Sequence, residues 1–128
     1  ISDAKRGLAA GAGGLMRLPD QIPYRVAMEL ALTGNFIDVE RAMALGLINR
    51  ISEGPAIDGA MALAREIKDN GPTAVRVSKQ IISESRGWPQ GERWERQDAL
   101  LPEVFQSPDA REGAAAFAEK RKPNWTGQ

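Results

Sequence analysis

The placement of proline and glycine constrains this chain more than any other feature. Proline pre-sets φ for the first turn of a helix, and glycine accepts the left-handed conformation that commonly ends one. Pro23 opens an apolar segment that Gly34-Asn35 closes near Thr33, and Pro72 opens another directly after Asn70-Gly71. Ser107-Pro108-Asp109 combines an N-cap hydroxyl, a proline at the first helical position and an acid near the positive end of the helix dipole. The glycine-rich run GLAAGAGG at 7–14 reads as a loop, followed by a short helix from about residue 14 that stops before Pro19.

Between these marks the apolar spacing is helical. Val26/Leu30, Ala27/Ala31 and Met28/Leu32 wrap nearly the whole circumference of one helix, which predicts burial on more than one side. Asp38 caps a short helix to Leu45 that Gly46 closes. Ile57, Ala60, Met61, Ala64 and Ile67 trace a stripe on the next helix. Val75, Ile81 and Ile82 form the inner face of the one after, until Trp88-Pro89 breaks it. Trp94, Leu101, Val104 and Phe105 line a longer helix that Pro102 kinks or splits. The last helix carries Ala114, Phe117 and Ala118 and runs to about Lys122-Pro123. Only LINRI at 47–51 alternates as a strand does, so the inventory is about seven helices and one strand. A lone strand needs partners, which points to pairing partners outside these residues. The missing initiator methionine before Ile1 points the same way, to a piece of a longer chain.

Composition narrows the chemistry. There is no cysteine and no histidine, which excludes disulfides, Cys/His zinc sites and every Ser-His-Asp or Cys-His device; no metal site is expected. Acid–base work falls to carboxylates, lysine, Tyr24 or groups supplied elsewhere. Seventeen basic residues balance seventeen acidic ones, which argues against a nucleic-acid or membrane-surface partner. No stretch reaches the roughly 18–20 apolar residues of a membrane span, so a soluble, cytoplasmic protein is expected.

Five segments, in this order, resemble the enoyl-CoA hydratase/isomerase (crotonase) family: KRGLAAGAGG at 5–14, RLP and AMELALTG at 17–19 and 27–34, AMALGLINRI at 42–51, NGPTAV at 70–75, and SPDAREGAAAFAEKRKPNW at 107–125. The resemblance covers nearly the whole chain. It implies a predominantly α-helical fragment of an α/β fold. Residues 1–53 would be the end of the ββα spiral core, and residues 54–128 the C-terminal helical oligomerisation region. It further implies a homo-oligomer, a trimer or hexamer, and an acyl-CoA thioester substrate. No separate cofactor is implied, since coenzyme A is part of the substrate. The missing N-terminal half of the same protein would supply the oxyanion hole and the first catalytic carboxylate.

By the same resemblance Asp3, four residues before Gly7, stands where the second catalytic carboxylate belongs. The family usually has glutamate there, after proline; this chain has Ser2-Asp3. Aspartate is one methylene shorter, and a misplacement near 1 Å can cost on the order of 10²-fold in rate. Enoyl-CoA hydratase therefore shares the field with an isomerase or another thioester-enolate enzyme, and a non-catalytic helical oligomerisation module is the reading from another class. Gly11 and Gly13 either let backbone approach the acyl thioester or make a plain tight turn. Phe117, Lys120 and Arg121 are spaced to share part of a helix surface, and the family's counterparts of Phe117 and Lys120 reach the adenine and phosphate end of coenzyme A. Trp88, Trp94 and Trp125 read as packing anchors.

Overall fold

Capping residues set the boundaries of nearly every helix. A computed structural model describes residues 1–128 as seven α-helices and three short 3-10 turns in two compact units, Ile1–Ala60 and Met61–Gln128.

The first unit begins with a 3-10 turn, Asp3–Arg6, closed by Gly7 at φ 69°. The glycine loop follows, and then α1 (Gly14–Gln21). This helix runs through Pro19 rather than stopping before it. A proline two residues from the end forfeits only one late hydrogen bond, and Ile22 N–H still closes the helix on the Leu18 carbonyl at 3.1 Å. α2 (Tyr24–Thr33) has Pro23 as its N-cap, one residue earlier than the pattern suggests, and Gly34 as its left-handed C-cap at φ 63°. Its apolar circumference is not covered: Ala27 is buried, Val26, Leu30 and Ala31 are half-buried, and Met28 and Leu32 face outward. α3 (Val39–Ala44) starts where Asp38 Oδ1 accepts the Arg41 N–H at 2.7 Å.

The expected strand at 47–51 does not form. Gly46 turns the chain at φ 74°, Leu47 N–H bonds back to the Ala42 carbonyl at 2.9 Å, and the remaining residues are irregular. Alternation alone cannot make a strand without a neighbour to complete its ladder. α4 (Ala56–Lys68) then carries the chain across the boundary between the units, with Ile57, Met61 and Ile67 of its stripe exposed.

In the second unit α5 (Pro72–Glu84) takes Pro72 at its first position, and short 3-10 turns at Ser85–Gly87 and Gln90–Glu92 flank Trp88-Pro89. Its most buried side chain is Val77, at 1% exposure; Val75 and Ile81 are half-buried, whereas Ile82 is 71% exposed and not on the inner face. α6 (Arg93–Phe105) is continuous through Pro102, again because the proline falls in the last turn. Leu101 and Val104 are half-buried, but Trp94 and Phe105 point outward, so Trp94 anchors nothing in this chain. Arg76 of α5 pairs with Glu103 of α6. α7 (Pro108–Ala118) begins as the sequence predicts, with Ser107 Oγ accepting the Ala110 N–H at 3.0 Å and donating to the Val104 carbonyl at 2.7 Å. It stops at Ala118, four residues short of Lys122.

Val77→Ala should lower the stability of the second unit by about 2 kcal/mol, since a fully buried side chain is truncated. Ile82→Ala should change it by no more than about 0.5 kcal/mol. Chemical denaturation of both variants checks the contrast.

Candidate functional site

Asp3 opens the first 3-10 turn and is half-buried. The turn is tied from several sides. Arg6 Nη1 donates to Ser2 Oγ at 3.0 Å, Lys5 N–H to the Ser2 carbonyl at 3.2 Å, and Leu8 N–H to the Asp3 carbonyl at 3.1 Å. The last of these bonds joins Asp3 to the glycine loop. Ile1 lies beside Gly14, where an added Cβ would meet Ile1 Cδ1 at 3.6 Å. Asp3 and the two candidate glycines therefore belong to one local assembly.

The two glycines differ. Gly11 is exposed, and its N–H bonds the Ala9 carbonyl at 2.8 Å. Gly13 is buried at φ 88°, as the N-cap of α1. Arg17 covers it: Nη2 donates to the Ala12 carbonyl at 2.8 Å, and an added Cβ would come within 2.9 Å of the guanidinium. Gly13 is thus favoured by its left-handed conformation, whereas the guanidinium over it is the mobile end of an exposed side chain. Beside this loop, α1 and α2 enclose an open apolar groove of about 360 Å³, with Leu15, Leu18, Tyr24, Ala27, Met28 and Leu32 on its walls. The continuous apolar circumference of α2 was the signal for it.

Phe117 and Lys120 belong to the second unit. Phe117 is 89% exposed in the last turn of α7. Lys120 is not on the helix surface with it. It sits past the C-cap Glu119 at φ 54°, the single non-glycine residue with positive φ in the chain. Lys120 N–H bonds the Phe117 carbonyl at 3.2 Å and Arg121 N–H the Ala116 carbonyl at 3.0 Å, the paired bonds of a Schellman ending. A lysine where glycine is favoured is a local strain, and such positions are often retained for a functional reason.

Arg121, the third member of the expected group, is committed to structure. Its Nη2 donates to Glu112 Oε2 at 2.9 Å, Nη1 to Glu112 Oε1 and Nε to Glu119 Oε2 at 2.6 Å. Glu112 also accepts the Asn124 N–H at 2.7 Å. Arg121 first, and then that N–H, hold the Glu112 carboxyl down to about 2; Glu112, then Glu119, hold the Arg121 guanidinium well above its ordinary value. Three residues earlier along α7, Asp109 is 4% exposed and accepts the Thr126 N–H at 2.7 Å, the Thr126 hydroxyl at 2.9 Å and the Gly127 N–H at 2.8 Å. The Thr126 N–H, with the Gly127 N–H and the Thr126 hydroxyl, lowers its pKa against the opposing effect of burial. Trp125 completes the clasp. Its Nε1 donates to the Asp69 carbonyl at 2.9 Å, and its ring lies where a Cβ on Gly113 would meet it at 3.2 Å and one on Gly71 at 3.7 Å.

The first unit thus carries a 3-10 turn with Asp3 that leads into a glycine loop, and the second a C-terminal tail clasped to α7. Solved enoyl-CoA hydratase structures have this fold. That from Mycobacterium tuberculosis H37Rv superposes with a TM-score of 0.95 at 56% identity, over 100% of this chain and 51% of that one. That of EchA1 from Mycobacterium marinum gives the same values. Among curated proteins, enoyl-CoA hydratase EchA19 of Mycobacterium tuberculosis is 41% identical over 98% of this chain and 47% of its own length; carnitinyl-CoA dehydratase of Citrobacter koseri is 37% identical over 100% and 51%. The family described as Enoyl-CoA hydratase/isomerase matches residues 1–128. The chain belongs to that family, the crotonases, and spans about half the length of the relatives it matches.

Two outcomes are expected for the tail. Glu112 and Asp109 have lowered pKa values, so their stabilisation is complete above the ordinary carboxylate range and is lost as pH falls from about 4.5 toward 2. Melting temperature followed by circular dichroism should fall through that window, and Glu112→Gln should flatten the fall. Lys120→Gly should raise stability by about 1 kcal/mol, because glycine carries no penalty in the left-handed region; equilibrium unfolding in urea measures it.

Proposed function

We propose that the longer protein containing this chain is an enoyl-CoA hydratase of the fatty-acid β-oxidation type, adding water syn across a 2-trans-enoyl-CoA to give the 3-hydroxyacyl-CoA. The observation that carries this reading is 56% identity, along the whole chain, with a structure described as an enoyl-CoA hydratase. In this reading Asp3 is the second catalytic carboxylate. With the first carboxylate it orients and activates one water, whose oxygen adds to the β-carbon while a proton reaches the α-carbon. Two backbone N–H groups hold the thioester oxygen as it gains enolate charge, which supplies several kcal/mol of transition-state stabilisation. Those donors and the first carboxylate are assigned to the half of the protein that this chain does not span. Gly11 and Gly13 let backbone come close to the thioester, Phe117 offers its exposed ring to the adenine, and Lys120 its ammonium to a phosphate of coenzyme A.

Residues 1–53 close the spiral core and 54–128 form the oligomerisation region of a homotrimer or hexamer. The outward-facing Leu32, Phe36, Trp94 and Phe105 support this reading, because they want a cover that this chain does not give them. No helix is long and apolar enough to cross a membrane.

A second reading, an isomerase or another thioester-enolate enzyme, is favoured by one observation: aspartate stands at position 3 where the family's glutamate is usual. A non-catalytic oligomerisation module would bind no acyl-CoA at all. Crotonyl-CoA given to the full-length protein separates the three. Hydration, with a loss of at least about 100-fold in kcat for Asp3→Asn, is expected. Double-bond migration without hydration would select the second reading, and absence of acyl-CoA binding the third. The 128-residue chain alone should not turn over, lacking an oxyanion hole; normal turnover by the purified chain would refute that assignment.

A further inference from the structure

The LTG sequence at 32–34 and the residue after it do more than end α2. Thr33 Oγ1 donates to the Glu29 carbonyl one turn back at 2.7 Å and accepts the Asn35 N–H at 3.3 Å, which fixes Asn35 at the helix corner. Asn35 Oδ1 then accepts from Lys5 Nζ at 2.8 Å, across thirty residues of sequence. Between them Gly34 is buried at φ 63°. A Cβ there would stand 3.0 Å from Lys5 Cγ and 3.4 Å from Ser2 Cα, so the backbone of the first turn rests directly on this glycine.

Lys5 and Asp3 share that turn. A 3-10 helix has three residues per turn, so positions two apart point in different directions, and a hold on one fixes the rotation that aims the other. The turn is four residues long and has no buried residue of its own to hold it. Its orientation therefore depends on what it rests against.

We propose that the Gly34-Asn35 corner positions the Asp3 carboxylate through Lys5, Asn35 and Lys5 being positioning residues that touch no substrate. This rests on the reading of Asp3 as the acid–base carboxylate. The corner would compensate for the shorter aspartate by holding its turn in a single orientation, where displacement of about 1 Å carries a large rate cost.

The test uses the full-length protein with crotonyl-CoA as probe, the single variants Asp3→Asn, Asn35→Ala, Asn35→Asp and Lys5→Met, and the Lys5→Met/Asn35→Ala double variant. Asn35→Ala is expected to lower kcat about tenfold while KM stays within about twofold, since the orientation of a reacting group is lost and not binding. Lys5→Met should match it, and the Lys5→Met/Asn35→Ala double variant should be no worse than either single one, because one hydrogen bond is removed in all three. Asn35→Asp keeps an acceptor in the same place for the ammonium and should retain near-normal kcat. Equal loss in Asn35→Ala and Asn35→Asp overturns the proposal, because a structural corner residue would show that pattern. Unchanged kcat in Asn35→Ala alongside an inert Asp3→Asn overturns the proposal alone. A fully active Asp3→Asn overturns the reading of Asp3 and the proposal with it. If Asn35→Ala does not fold, Lys5→Met against Asn35→Asp decides the matter on the same terms.

Discussion

Apolar burial from within residues 1–128 is sparse, in a chain that spans about half the length of the relatives it matches. Its buried apolar side chains are Ile22, Ala27, Ala42, Val77 and Ala116, three of them alanines, while many of its larger side chains face outward. Alanine removes little apolar area from water, so helices packed through alanines are held together only weakly by the hydrophobic effect. Definition must then come from directional contacts. The caps at Asp38 and Ser107, the left-handed glycines at 7, 34 and 46, and the tail bonded to Asp109 and Glu112 supply it. Each is short in range and specific in geometry, and each fixes where a helix stops and where the next one starts.

That division of labour explains what could be read from the sequence. Caps are local, so the starts at Asp38, Pro72 and Pro108 and the stop at Thr33 follow from a few neighbouring residues; α5 ends at Glu84, four residues before the expected break at Trp88-Pro89. Periodicity states which face of a helix is apolar, but it cannot state whether the covering surface belongs to the same chain. Ile82 was placed inward on that basis and Trp94 was read as a packing anchor; both face outward here, as does Phe105 on the apolar face of α6. The strand at 47–51 fails for a related reason: alternation marks a segment able to pair, and pairing needs a second strand.

The candidate site was legible in residue types more than in geometry. Asp3 was assigned by its place before Gly7 in the family resemblance and Gly11 and Gly13 by the glycine-rich run; in the structure the Leu8 N–H bonds the Asp3 carbonyl, which joins the first turn to the start of that run. Long-range partners left no trace in any local pattern. Lys5 and Asn35 are thirty residues apart, and Asp109 and Thr126 seventeen. Arg121 was grouped with Phe117 and Lys120 by helical spacing, but α7 ends before it and turns it back toward Glu112. Gly113 looks like a helix-weakening residue until Trp125 is seen lying against it.

The order in which a ribosome delivers these residues gives the tail clasp a further meaning. Asp109 leaves the exit tunnel well before the Thr126 and Gly127 groups that satisfy it, and Glu112 before Asn124. Until residues 124–127 emerge, the nascent second unit holds two solvated carboxylates and an unseated indole in place of its finished seam. The seam of the second unit thus waits for residues 124–127, however early α7 itself has formed.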